Sequence, residues 1–191
     1  MKVLYEQPEI ILSLRTEFVG DIKRGRKTLE LRKNMPSIRT PFKVHVYEPL
    51  TPHSPYFGNF CHPWVRERVS TSLACIGGSG LIVGEFSCSC VGELINYGIY
   101  TSPNYDFEHP QGVQIPADRT LEAMLCIDRH IIKRYLKGGN GFLWEISNPL
   151  FYEKPLPLSN FIGVKGLPIK RPPLSWCYTI GRNDDENSAE Q

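Results

Sequence analysis

The segment from residue 10 to residue 32 constrains the fold more than any other part of the chain, because it predicts three secondary-structure elements joined by very short connections. Residues 10–14 are an apolar run typical of a buried strand. A short helix is expected next, with Thr16 as its N-terminal cap. Gly25 is a stop signal for that helix, and residues 27–32 alternate at once as a half-buried strand.

The second of these strands sends charged side chains to one face. The alternation places Leu29 and Leu31 on one side of the strand, and Glu30 and Arg32 on the other. Lys27 lies at the beginning of the strand. Charges facing a core are costly unless they are paired, and a structural ion pair in which Arg32 neutralises Glu30 is one interpretation. In a cleft the same groups can hold a polar ligand, since cations donate to phosphate or carbonyl oxygens and a carboxylate accepts from an amino group.

The remaining pattern predicts an α+β protein: a small mixed β-sheet or β-barrel with two or three helices. The clearest helix runs over residues 118–136, with Asp118 as its cap. A long strand bent at Gly84 or Gly92 is expected over residues 81–95. Further strands or extended segments are expected over residues 43–48, 142–146, 149–158 and 176–180, with a loop over residues 97–117.

Length and composition indicate one domain. The chain has 191 residues, of which 41% are hydrophobic and 22% charged, as is ordinary for a globular protein. We expect a domain over residues 1–182, with insertions at about 49–80 and 97–137, and a disordered acidic tail over residues 183–191. No membrane span or signal peptide is expected.

The cysteines indicate a reducing compartment. The chain has 6 cysteines and no C-x-x-C pair, which favours a cytoplasmic location and no metal site. Cys88 and Cys90 are expected to fill space in a strand. No cofactor is expected, because the only glycine-rich runs lack the lysine and hydroxyl of a phosphate loop.

Charge is unevenly distributed along the chain. Residues 15–39 hold eight basic side chains against three acidic ones. The net charge is +2, and removing the four acidic side chains of residues 184–191 leaves a body of +6. A basic body suits a polyanion or a phosphate-bearing ligand, although a solvated surface is the alternative.

The run from Gly25 to Arg32 resembles the signature of the ASCH domain, a branch of the PUA-like superfamily. That family's pattern is Gly-x-Lys-x-x-Glu-x-Arg, and the chain matches it at Gly25, Lys27, Glu30 and Arg32. A second stretch, Pro-Pro-Leu-Ser-Trp-Cys-Tyr over residues 172–178, resembles a closing strand of many bacterial and phage members. The resemblance covers about residues 8–48, 81–95 and 142–180.

This resemblance implies a small β-barrel with a cleft beside the short helix, where the family is thought to bind RNA or modified nucleobases. The first hypothesis is therefore an RNA- or modified-nucleotide-binding protein of unknown oligomeric state. Its expected ligand-binding residues are Arg15, Gly25, Arg26, Lys27, Glu30 and Arg32. Phosphates would meet Lys165, Lys170 and Arg171, and a base would stack on Tyr47, Trp64, Tyr97 or Trp176, although Trp176 also fits a core position.

Three other functions remain open. Some ASCH-fold proteins resemble N4-acetylcytidine amidohydrolases, thought to use the motif lysine, a threonine three residues later and a separate glutamate. Lys27 matches, but Glu30 occupies the threonine position, so Glu30 would be the general base on a water and Lys27 the electrophile or acid. The separate glutamate would be Glu85 or Glu122. The same Lys27 and Glu30 would serve a ribonuclease, and a plain interaction module is the last alternative.

Overall fold

The structure is a computed structural model, and it describes residues 7–52, 76–95, 98–100, 113 and 115–183. Its helices are α1 (Thr16–Lys23), α2 (Leu121–Leu125) and α3 (Arg129–Leu136), with a 3-10 turn at Leu158–Asn160. Its strands are β1 (Glu9–Ser13), β2 (Leu29–Arg32), β3 (Phe42–Glu48), β4 (Thr51–Pro52), β5 (Ile76–Gly77), β6 (Leu81–Ile95), β7 (Gly98–Tyr100), β8 (Gly141–Leu156), β9 (Phe161–Gly163) and β10 (Trp176–Arg182).

One mixed sheet organises these elements. Its strand order is β2-β8-β6-β3-β1-β10-β9, with β7 added alongside β6, while β4 and β5 form a separate pair. All neighbours are antiparallel except β1 and β3, which run parallel. Parallel neighbours need a crossover, and α1 with β2 supplies it. The α+β class is confirmed.

The expected closed barrel is wrong, because the described part of the sheet stays open between β2 and β9. The side chain of Arg32 links β2 to β1 and to the residue that precedes β10. Its Nη2 donates to the Ser13 carbonyl over 2.9 Å, and its Nη1 donates to Ser175 Oγ over 3.2 Å, just before β10.

Two of the three hydrophobic cores lie on opposite faces of β2. The first packs α1 against the sheet around the fully buried Trp144. The second packs Leu29 and Leu31 of β2 against α2 and α3. A third lies under the turn that holds Phe161. The short strand β2 therefore turns its leucines toward α2 and α3, as the alternation predicts, and its charged side chains toward the α1 side.

The helix expected over residues 118–136 is split in two. Cys126 adopts a left-handed conformation, with φ 55°, which ends α2 after Leu125. Thr120 is the cap rather than Asp118, since its Oγ1 accepts from the backbone N–H of Ala123 over 3.2 Å. The sequence hides this break because Cys126 carries none of the glycine signal that normally marks a left-handed residue.

Smaller differences between the predicted and the observed structure concern where the helices and strands begin and end. β7 lies within the expected loop over residues 97–117, and β8 is one strand where two were expected. Arg15, not Thr16, holds the N-cap position of α1, without a side-chain hydrogen bond. The long strand over residues 81–95 is confirmed, and its register with β8 shifts next to Gly84, where a bend is predicted.

Two expected regions fall mostly outside the described residues: the insertion at about 49–80, apart from its two ends, and the acidic tail. Among the helices that the structure does describe, none is long and apolar enough to cross a membrane.

Candidate functional site

The turn between α1 and β2 is held by Asp21. Gly25 takes a positive φ of 69°, which suits glycine, and its N–H closes the helix on the Ile22 carbonyl over 2.9 Å. The Asp21 carbonyl then accepts the N–H groups of Arg26 and Lys27 over 2.9 and 3.2 Å. The Asp21 carboxylate, itself buried, accepts from Arg26 Nε over 3.0 Å. This turn therefore fixes the position from which the side chain of Lys27 points into the protein interior.

Lys27, Glu30 and Arg32 form one buried chain of ion pairs, called the Lys27 cluster below. Lys27 Nζ lies 3.0 Å from Glu30 Oε2, and Arg32 Nη2 lies 2.9 Å from Glu30 Oε1. Lys27 is only 1% exposed and Glu30 only 5%. One carboxylate therefore faces two cations, so the cluster holds an excess of positive charge in a buried place, where charge interactions are stronger than in water.

The region around α2 closes over the Lys27 cluster. Lys27 Nζ donates to the Leu125 carbonyl over 2.9 Å and lies 4.8 Å above the ring of Phe18 in α1. Next to it, the backbone N–H of Thr28 donates to the Met124 carbonyl over 3.0 Å. The sequence places residues 97–137 outside the minimal domain, but the end of α2 supplies a direct ligand of the lysine. Sequence reasoning misses this contact, since a backbone carbonyl leaves no residue signature.

Three buried polar atoms near β2 lack a hydrogen-bond partner among the described residues. They are Thr28 Oγ1, Arg32 Nε and Trp144 Nε1. Trp144 is the register partner of Glu30 on β8, so its side chain shares the face that holds the cluster. Leaving a buried donor unsatisfied costs about 1–3 kcal/mol. A ligand that brings an oxygen acceptor to this face would remove part of that cost.

A surface depression lies next to the end of β2 that carries Arg32. Its volume is about 570 Å³, and it is lined by residues 34–39, which follow β2 directly, and by Phe142. Phe142 is the register partner of Arg32. A ligand in this depression would lie against the end of β2 that carries Arg32.

The other motif residues have structural roles or lie at the surface. Arg26 is exposed, and its guanidinium is tied to Asp21. Arg15 is exposed before α1, with its Nη1 3.9 Å from Glu17. Gly25 makes the turn. The ligand-binding set predicted from the sequence therefore separates into the buried Lys27 cluster and an exposed basic rim.

Several candidates are not brought to the Lys27 cluster by any contact that the structure describes. Glu85 accepts the Tyr152 hydroxyl over 2.5 Å on the opposite side of the sheet, and Glu122 pairs with Arg129 over 2.6 Å. The separate glutamate of the amidohydrolase hypothesis is thus not in contact with Lys27. Lys165 and Lys170 follow β9, at the far end of the sheet order from β2.

The stacking aromatics serve the cores where the structure describes them. Tyr47 is buried in the third core, away from the cluster. Trp176 packs against the first core, with its ring 6.0 Å from that of Trp144, which favours the core interpretation. Trp64 and Tyr97 lie outside the described residues.

A second polar group lies on the other face of the sheet. Buried His45 places Nε2 2.6 Å from Glu9 Oε2 and Nδ1 3.4 Å from Glu85 Oε2. The hydrogen bond with His45, helped by the charge of Lys43, holds the pKa of Glu9 below its ordinary value. Burial and the neighbouring Glu85 raise the pKa of Tyr152. No three His, Cys, Asp or Glu side chains in the described ranges are placed to hold one metal ion.

The lowered pKa of Glu9 predicts a loss of stability in acid. A carboxylate with a depressed folded-state pKa stabilises the protein above its unfolded pKa, and that contribution is lost as the pH falls through the folded pKa. We expect Glu9→Gln to flatten the decline of unfolding free energy below about pH 4.3, the ordinary glutamate pKa. Urea unfolding of both proteins between acidic and neutral pH checks this, and parallel curves would contradict it.

Comparison with known proteins complements this geometry. No family model matches the chain, and no curated protein matches it. Solved structures do: an ASCH protein from Zymomonas mobilis is 14% identical with a TM-score of 0.50, over 94% of this chain and 90% of that chain. Its tyrosine-to-phenylalanine variant is also 14% identical, with a TM-score of 0.51 over 95% of this chain and 94% of that one.

The chain has the ASCH fold. A serine-to-alanine variant of the same Zymomonas mobilis protein agrees, at 14% identity and a TM-score of 0.51 over 94% of this chain and 91% of that one. The resemblance drawn from Gly25, Lys27, Glu30 and Arg32 is thereby confirmed for the fold. The ASCH fold alone does not determine a ligand, so the site must carry the functional argument.

Proposed function

We propose that this ASCH-fold protein binds RNA or a modified nucleotide and holds a base at the Lys27 cluster. The observation that carries the proposal is the buried excess of positive charge next to Arg32 Nε, which has no hydrogen-bond partner among the described residues. Such a site is incomplete without an acceptor. A base carbonyl or a phosphate oxygen supplies one.

The cluster has the donors and acceptors that a base edge needs. Glu30 receives one cation on each oxygen, and each oxygen keeps a second lone pair for an amino group. Arg32 and Lys27 donate to carbonyl oxygens. A base such as cytosine presents an amino donor and a carbonyl acceptor on the same edge, which matches this pairing of one carboxylate with two cations.

The rim of the site supports a phosphate-bearing ligand. Exposed Arg15, Lys23, Arg24 and Arg26 surround both ends of α1. Arg24 and Arg26 face Asp21, so their positions are fixed while their side chains stay 45% and 42% exposed. Positive side chains at the rim of a basic site increase the rate of encounter with an anion and add salt-dependent affinity.

Hydrolysis of an acylated nucleoside is the second candidate, and Thr28 is the observation that favours it. Its hydroxyl is buried, one residue from Lys27, and no group in the part of the chain that the structure describes hydrogen-bonds to it. Against this candidate, both oxygens of Glu30 are already paired with cations, one with Lys27 and the other with Arg32. Lys27 is also occupied by the Leu125 carbonyl. Binding is therefore the function that the geometry supports best.

Titration calorimetry with cytidine 5′-monophosphate and N4-acetylcytidine tests the proposal. We expect wild type to bind at least one of them and Lys27→Met to weaken binding about 10- to 100-fold, the value of one charge-assisted hydrogen bond. Lys154→Met is the matched control, since Lys154 is an exposed lysine near the end of β8 that is not part of the rim, and it should retain binding within about threefold.

Three outcomes would count against binding at the cluster. One is the absence of heat with both ligands, and another is an equal loss of affinity in both variants. The third is the release of cytidine from N4-acetylcytidine, which liquid chromatography would detect. Release that Thr28→Val abolishes would support the hydrolase candidate instead.

A further inference from the structure

Helix α3 presents a basic face to solvent. Exposed His130, Lys133, Arg134 and Lys137 fall within about 100° of the helix circumference at 3.6 residues per turn. Ile132 and Leu136 fix this orientation, because they are buried in the second core on the other side of the helix. The segment from Arg129 to Lys137 contains no acidic residue. The face therefore concentrates charge of one sign.

An aromatic ring joins this face to β2. Tyr135 of α3 is 37% exposed, and the ammonium of Lys33 lies 4.9 Å from the centre of its ring. Lys33 is the residue directly after Arg32. The Lys33–Tyr135 contact therefore connects the basic face of α3 to the end of the strand that carries the Lys27 cluster.

The Lys27 cluster and α3 lie on opposite faces of β2. Leu29 and Leu31 pack toward α3, while Glu30 and Arg32 turn to the α1 side. β2 is an edge strand in the described sheet. A ligand in contact with both faces must therefore pass around this edge, past Lys33, and so must be longer than a single nucleotide.

We propose that the basic face of α3, with Lys33 and Tyr135, binds the phosphates and one base of a single-stranded polynucleotide. This rests on the proposed function, because it makes the base held at the Lys27 cluster part of a longer strand. Lys133, Arg134, Lys137 and Lys33 meet phosphates. Tyr135 stacks on a base, a contact that tolerates any sequence because every base has a π-face.

The chemistry of the face favours a polynucleotide over an anionic membrane. An interfacial helix inserts an apolar face into the lipid, but Ile132 and Leu136 are already buried in the protein. Tyr135 is the large apolar side chain that α3 exposes, and it is flanked by a cation. A basic face with an exposed aromatic ring beside it suits a single-stranded polynucleotide.

Fluorescence anisotropy with a labelled single-stranded RNA of about 15 nucleotides tests the inference, a length near the upper limit for one single-strand site. The variant Lys133→Gln/Arg134→Gln/Lys137→Gln should weaken binding about tenfold or more. It should also lower the salt slope of log affinity by about 2, since each phosphate contact contributes about 0.7. The matched control, Lys154→Gln/Lys165→Gln/Lys170→Gln, removes the same charge from exposed lysines near the end of β8 and after β9, and should stay within about threefold.

A single substitution separates stacking from charge. Tyr135→Leu should weaken RNA binding about fivefold or more and leave the salt slope unchanged, because the lost contact is uncharged. Circular dichroism checks that each variant keeps its helices. Equal losses in the α3 variant and its control, or no loss in the α3 variant, would overturn the inference.

Two controls distinguish this inference from the proposed function. The α3 variant should still bind free cytidine 5′-monophosphate as wild type does, because the Lys27 cluster is intact. Wild type that binds the mononucleotide but not the RNA would overturn the inference and leave the proposed function standing, whereas binding of neither would end both. Loss of binding to phosphatidylserine vesicles without loss of RNA binding would assign the face to membranes and overturn it.

Discussion

Glu30→Gln is expected to destabilise the protein by about 3–5 kcal/mol, because it removes the counter-charge of two buried cations. Lys27 and Arg32 both depend on this carboxylate, at 3.0 and 2.9 Å. Urea-induced unfolding at neutral pH, followed by circular dichroism, measures the loss. A cost below about 1 kcal/mol would show that the two cations do not depend on Glu30.

Lys27→Met is the matched comparison, and it should cost no more than about 2 kcal/mol. It leaves a neutral pair of Glu30 and Arg32 and fills the space with an unbranched apolar side chain of similar length. The loss of unfolding free energy should therefore be larger for Glu30→Gln than for Lys27→Met, because one carboxylate is shared by two cations. Equal costs for both would contradict the arrangement.

Trp144→Ala is expected to cost about 3–5 kcal/mol, the range for large aromatic side chains removed from a core. Trp144 is fully buried, meets Phe42 edge-on at 5.5 Å between ring centres, and is the register partner of Glu30. The same unfolding measurement applies. Trp176→Ala is the control and should cost less, because Trp176 is only partly buried; a Trp144→Ala cost no larger than that of the control would contradict the packing.

The strand–helix–strand unit of residues 10–32 was predictable because its signals are local. An apolar run, a glycine stop and a two-residue alternation each act over a few positions, and Gly25 does adopt the positive φ that favours glycine. The alternation also placed Glu30 and Arg32 on one face of β2. The pairing of all three charged motif residues was one of two interpretations, and distances were needed to establish it.

The rest of the site was not predictable because it depends on distant backbone. The Leu125 carbonyl that binds Lys27 lies 98 residues further along the chain, and a carbonyl is common to every residue. The contact of Arg32 with Ser175 spans 143 residues. Such contacts follow from how the elements pack, and no spacing in the sequence encodes them.

Cys126 shows a different limit of predicting structure from sequence. The periodicity of residues 118–136 fits one helix, and the left-handed residue that divides it carries a side chain. The break places the Leu125 carbonyl at the end of α2, where no further turn of the helix uses it and Lys27 can. A local departure from propensity thus coincides with the candidate site, as expected where function competes with regular structure.

The most direct test of the central claim is to observe Arg32 Nε–H by proton–nitrogen NMR in wild-type protein during titration with cytidine 5′-monophosphate. This atom is buried and has no acceptor within the described structure. If the ligand binds at the Lys27 cluster, we expect a downfield shift of this signal and slower exchange with water, since the ligand brings an acceptor to the N–H group. A ligand that shifts the signals of exposed Arg15 and Arg26 but leaves Arg32 Nε–H unchanged would contradict it.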